Sequence, residues 1–213
     1  NILNPTLNNT GPFRWWIHEA LQDNLPMDRF ATELISMEGS SQYGAPAGFA
    51  VASQNDLPMA AKAQIVSSAF LANEMKCARC HDAPYHPFEQ GDLFKIAAML
   101  QRAPLKVPGT SLSAGLKKNS HVTVSLKPGE MIDPHFPFST PGAPLPGVIR
   151  KEGDTREVLA AILTDPRDDR FAQVIVNRIW GQFLGFGIVE PADDWSTALP
   201  SHPELLKWLA HEF

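Results

Sequence analysis

Residues 57–81 read LPMAAKAQIVSSAFLANEMKCARCH, and this stretch combines a long apolar run with a dense chemical motif. Asp56 is a credible N-cap and Pro58 suits a first helical turn. From Leu57 to Met75 the sequence is Ala-rich, has no Gly and, after Pro58 in the first turn, no Pro, and is apolar on most sides. That pattern predicts a buried helix running directly into Cys77. The chain has 2 cysteines, Cys77 and Cys80, and His81 follows at once, completing a C-x-x-C-H signature.

Working outward, helical periodicity dominates both flanks. Phe13, Trp16, Ile17, Ala20 and Leu21 form one stripe over Phe13 to Gln22. A second helix starts near Pro26, turns Phe30, Leu34, Ile35 and Met37 inward, and stops at Gly39. Ser40 to Asn55 reads as a loop. Beyond the motif, the Pro84 to Pro87 corner leads to Asp92, which can cap a helix over Leu93 to Arg102.

From Gln101 to Arg150 there are eight Pro and five Gly, which exclude a long helix. Only His121 to Leu126 alternates enough for a short strand. Helices return at Thr155 to Leu163 and at Asp169 to Leu184. In the latter, Phe171, Val174, Ile175, Ile179 and Phe183 share a face, and Gly185 ends it. Ser201 and Glu204 form a capping-box pattern for a last helix to His211, with Pro203 in its first turn. Trp180 and Trp208 read as core, and the Asp193–Asp194 pair as a solvated turn or a cap. The fold class expected is mainly α: about seven helices, a Pro-rich irregular segment and little β.

At 213 residues and 44% hydrophobic content the chain can bury a sizeable core and is not of disordered composition. With 18 Lys+Arg against 23 Asp+Glu its formal charge is −5, and it has no basic stripe, so nucleic acid is not an expected partner. No apolar run approaches the roughly 20 residues of a transmembrane helix. The chain opens at Asn1 without a signal-peptide pattern and closes on an unfinished helical pattern, so both ends read as cuts in something longer. No phosphate loop, nucleophile elbow or H-E-x-x-H motif occurs.

C-x-x-C-H has a physical reading as a covalent haem c site. Residues at i and i+3 of a helical turn project to one side, so Cys77 and Cys80 can reach two vinyl groups. His81, at i+4 from Cys77, shares that side and can offer a ring nitrogen to the iron. Arg79 can pair with a propionate. A sixth ligand is sought among His86, Met99, Met131, His121 and His135. Met131 is preferred, because a Pro128-Gly129 loop delivers it some fifty residues downstream. Met99 lies on an apolar helical face, and Pro84 and Pro87 restrain His86. Three other readings stay open: a redox-active disulfide, though a helix rather than a strand precedes the pair; a zinc site with His81 and His86, cramped for a closed site; and a structural disulfide or an unoccupied motif.

Two longer strings resemble known families. Met27-Asp28-Arg29-Phe30, Cys77 to Asp82, Pro84-Tyr85 and Asp92-Leu93-Phe94 resemble the planctomycete-type cytochrome-like domain of unknown function. Phe171-Ala172, Val176 to Trp180, Gly185-x-Gly187-Ile188-Val189-Glu190-Pro191 and Pro200 to Leu206 resemble the domain that usually follows it. The resemblance implies a large exported bacterial protein, often with a further cytochrome c or carbohydrate-binding module and no firmly assigned activity. Members commonly carry a second His two residues after the motif His, where this chain has Ala83. The expected division is a helical cytochrome-like domain over 1–103, a Pro-rich segment over 104–150 and the start of a second helical domain over 151–213. The expected role is periplasmic or extracytoplasmic electron transfer, serving a redox partner protein or a larger assembly. A structural subunit with a Cys77–Cys80 disulfide, and a haem-dependent oxidoreductase acting on a carbohydrate-like substrate, are the alternatives.

Overall fold

The structure, a computed structural model, describes residues 11–39, 46–52, 58–109 and 122–213, and of residues 51 and 52 the backbone only. The chain is mainly α. Among the described residues there are eight α-helices: α1 (Gly11–Gln22), α2 (Met27–Ser36), α3 (Gly48–Ala52), α4 (Pro58–Leu71), α5 (Gln90–Gln101), α6 (Thr155–Leu163), α7 (Arg170–Leu184) and α8 (Pro203–Glu212). A 3₁₀ turn spans Cys77–Arg79. One two-stranded antiparallel sheet pairs β1 (Leu105–Lys106) with β2 (Met131–Ile132), in the register Leu105 to Ile132 and Lys106 to Met131.

The apolar stripes do what their periods require. α4 packs against α5 and α7, α5 also against α6, and α2 against α6. Leu34, Leu93, Ile96, Leu100 and Leu159 are fully buried between these helices. Burying each such side chain contributes about 1.5–3 kcal/mol. The resulting core joins the first hundred residues to Leu159, Leu163, Phe171 and Ile175, and takes Leu126 and Phe136 from the Pro-rich segment. A second cluster holds Val174, Val176, Ile188, Val189, Trp195 and Leu206 around Ala72. No helix among the described residues is long and apolar enough to cross a membrane.

Several local expectations are corrected. α4 does not run on to Met75: it stops at Leu71, where Ala72 adopts φ +50° and its carbonyl accepts the Trp195 N–H at 2.8 Å. A tertiary contact therefore replaces helix continuation. α2 ends at Met37, itself left-handed at φ +53°, two residues before Gly39. Asp92 caps α5 from one turn in rather than as its N-cap: Glu89 is the N-cap residue, and Asp92 Oδ2 accepts the Glu89 N–H at 3.0 Å as half of a capping box. Residues 122–126 form no strand, because the Thr123 carbonyl and Leu126 N–H are taken by Asp82 and Gln90. Ser201 does not cap α8; its hydroxyl donates to the Ile188 carbonyl at 2.9 Å. On α7 the inward face ends early, leaving Ile179 and Phe183 exposed, and Trp208 of α8 is exposed rather than core. Asp56 and His121 lie outside the described residues.

Candidate functional site

The Cys-His motif lies on the 3₁₀ turn after α4. The Ala78 N–H donates to the Met75 carbonyl at 3.1 Å, the Cys80 N–H to Cys77 at 3.1 Å, and the His81 N–H to the same Cys77 carbonyl at 3.2 Å. These bonds wind Cys77, Cys80 and His81 onto one turn. Met75 and Ala78 are fully buried and anchor the turn in the core, while Cys77, Arg79, Cys80 and His81 are half-buried. Both thiols are free.

His81 is oriented by its neighbour. Its Nδ1 lies 2.9 Å from the Asp82 carbonyl oxygen, which can only accept. Nδ1 therefore donates in this contact, and Nε2 is the ring nitrogen left available to a ligand, the orientation found where a neutral imidazole serves as a metal ligand. Asp82 is in turn fixed from three sides. Its N–H donates to the Thr123 carbonyl at 2.9 Å, and its Oδ1 accepts the Gln90 N–H at 2.9 Å and the Ser125 hydroxyl at 2.7 Å. Gln90, fully buried, passes the connection on by accepting the Leu126 N–H at 3.3 Å. In the sequence Asp82 stands out only as the last residue of the string Cys77 to Asp82, and Gln90 does not stand out at all. The one available signal was Asp82 itself, a short acceptor directly after the motif and eight residues before a helix start.

Two thiols and one imidazole whose Nδ1 is held by the Asp82 carbonyl thus share one turn, the donor types that a haem c site uses. The same set does not fit the zinc reading. Among the described residues no three His, Cys, Asp or Glu side chains are grouped to hold a metal ion. His86 is turned elsewhere: its Nδ1 lies 3.0 Å from the Ser196 hydroxyl and 3.3 Å from Asp194 Oδ2. Asp194 is thus neither a bare solvated turn nor a helix cap. Its Oδ1 accepts the Ser196 N–H and hydroxyl, and its Oδ2 faces His86 across 108 residues of sequence.

The other candidates are distributed as follows. Met99 is buried in α5, as its apolar face implied. Met131 lies on β2 opposite Lys106 and is 56% exposed; β2 packs on α5, as does the 3₁₀ turn. His135 is exposed in the Pro-rich segment.

Residues 3–104 match PSCyt2, a protein family of unknown function (DUF1549). Residues 155–213 match PSD1, a second such family (DUF1553). The order is that of the domain pair the two motif strings resemble. No curated protein and no solved structure gives a significant match.

The geometry also explains the motif string in the PSD1 segment. Asn177, fully buried on α7, clamps Val189 by donating Nδ2–H to its carbonyl and accepting its N–H at Oδ1, both at 2.9 Å. Arg178 donates to the Ser68 carbonyl at 2.7 Å, tying α7 to α4 of the PSCyt2 segment. A Cβ at Gly187 would lie 2.6 Å from the Val189 carbonyl oxygen and 2.9 Å from the Asn177 amide, so only glycine fits there. These residues hold α7 against α4 and close the turn that follows α7.

Proposed function

We propose that this chain is an extracytoplasmic electron-transfer domain that holds a c-type haem through Cys77 and Cys80, with His81 as the proximal ligand. The observation that carries the reading is the pairing of two free thiols on one turn with an imidazole whose Nδ1–H is committed to the Asp82 carbonyl. Asp82, Gln90 and Ser125 set the backbone that orients this ring, and Met75 and Ala78 provide the dry side of the turn. When bound, the haem would supply one-electron chemistry, with a potential tuned by its ligands and surroundings. Arg79 is the propionate partner within the motif, and Met131 is the distal ligand in this reading. A redox partner protein or a larger exported assembly would exchange the electron.

The test is the mass of the Cys77–His81 peptide from protein exported in a host competent for haem c attachment. The reading expects haem on that peptide and a reduced c-type α-band that survives acid-acetone extraction. A peptide recovered with two thiols, or with two hydrogens fewer as a disulfide, would overturn it in favour of the structural-subunit reading. In haem-loaded protein, His81→Ala should retain haem at lower yield with an altered spectrum.

A further inference from the structure

The loop that follows the motif and the segment that follows α7 enclose a second feature, separate from Cys77, Cys80 and His81. We propose that the cavity of about 290 Å³ between Phe88 and Trp195 binds a small planar apolar carboxylate, with its ring among the phenylalanines and its carboxylate on Arg170.

The apolar wall is already assembled. Phe136 and Phe138 meet edge to face at 5.4 Å and 90°, and Phe88 meets Phe138 at 5.8 Å and 66°. Phe88 is backed by the His86 ring at 6.3 Å, and His86 is pinned to Ser196 on the opposite side of the cleft. Phe88, Phe136 and Trp195 are each at least nine-tenths buried, so the box does not depend on a ligand to form. Preformed aromatic walls with few polar groups are the usual character of small-molecule sites. At 290 Å³ the cavity lies at the lower edge of the size range for such sites, room for one ring and a short polar group but not for a nucleotide.

The charge in the wall selects the ligand. Arg170, the first residue of the 15-residue α7, lies 4.7 Å over the Trp195 ring. Its Nε donates to the Leu71 carbonyl at 2.7 Å and its Nη2 reaches the Asn73 side-chain oxygen at 3.5 Å. Among the described residues it makes no salt bridge, although it is half-buried. Asp168, in the same wall, is exposed to water, and its Oδ1 accepts the Arg170 backbone N–H at 3.0 Å. It reduces the cost of the buried cation without matching it. A partly desolvated guanidinium fixed at a helix N-terminus therefore asks for an anion. A neutral sugar ring of similar size would leave that charge unmatched.

The probe is benzoate, with benzamide, benzylamine and glucose as comparators, titrated against the chain by ligand-observed and protein-observed NMR. Benzoate should bind at least tenfold more tightly than benzamide, and benzylamine and glucose should not bind. Phe138→Ala should weaken benzoate at least fivefold, and Arg170→Met should reduce benzoate to the level of benzamide. Equal binding of benzoate and benzamide, preferential binding of glucose, or benzoate binding indifferent to Phe138→Ala would each overturn the proposal. The first comparison uses the unaltered chain and stands even if Arg170→Met fails to fold. A Cys77→Ala, Cys80→Ala variant should bind benzoate unchanged, so this site and the haem reading stand or fall separately.

Discussion

Asp82→Ala should loosen the motif at its anchor, and the structure sets the size of the effect. The substitution removes the acceptor of two hydrogen bonds, from the Gln90 N–H at 2.9 Å and the Ser125 hydroxyl at 2.7 Å. Gln90 is fully buried, so its N–H cannot turn to water without opening the start of α5. Leaving it unpaired forfeits a bond to a charged acceptor, about 1.5–3 kcal/mol. Ser125 is exposed, and its hydroxyl regains water at little net cost. The total loss should be about 2–3 kcal/mol by urea denaturation. Asp82→Asn keeps an oxygen acceptor and removes only the charge, so about 1 kcal/mol is expected. The same pair of variants should show faster amide hydrogen exchange at Gln90 and Leu126 in the alanine form only. If Asp82→Ala stays within about 0.5 kcal/mol of the unaltered chain, or matches Asp82→Asn, the anchoring role assigned to this carboxylate is wrong.

Three further outcomes follow from named contacts. Lys62 is fully buried and among the described residues meets the Pro58 carbonyl at 3.5 Å and the Phe49 ring at 5.9 Å; burial, with a smaller push from Arg156, lowers its pKa to about 8. The unfolded chain then holds more protons between pH 8 and about 10.5, so stability should rise by up to about 3 kcal/mol across that window, and Lys62→Met should abolish the rise in urea titrations at pH 7.5 and 10. Gly187→Ala forces a Cβ against the Val189 carbonyl at 2.6 Å and should cost about 1–3 kcal/mol in the same assay, with no comparable loss for Gly109→Ala, an exposed position with open space around its Cβ and no positive φ, as a control. In haem-loaded protein, Met131→Ala should lower the potential and remove the sulfur-to-iron band of the oxidised spectrum; an unchanged spectrum would transfer the distal role to another side chain.

The mainly α character, the positions of α6 and α7 and the Cys-His turn could be read from the chain alone, because each depends on local periodicity or adjacency. Thr155–Leu163 is a case in point: its apolar spacing and flanking turns leave no competing structure. Cys77, Cys80 and His81 share a turn because three bonds within the seven residues from Met75 to His81 wind them together.

What the chain alone did not settle depends on partners distant in sequence. α4 halts at Leu71 rather than Met75 because Ala72 gives its carbonyl to Trp195, and no local signal marks that acceptor. Ser201 satisfied the pattern of a cap, yet Ile188 supplied a better-placed carbonyl. Trp208 and Phe183 sit at helical spacings that suit a core, but no described element covers that side of α7 and α8. His86 looked like a neighbour of the motif by sequence and became instead the contact of Asp194 and Ser196, more than a hundred residues away. Periodicity fixes which face of a helix is apolar; only the packed chain decides which neighbour arrives to cover it, and the polar groups then bond to whatever that neighbour presents.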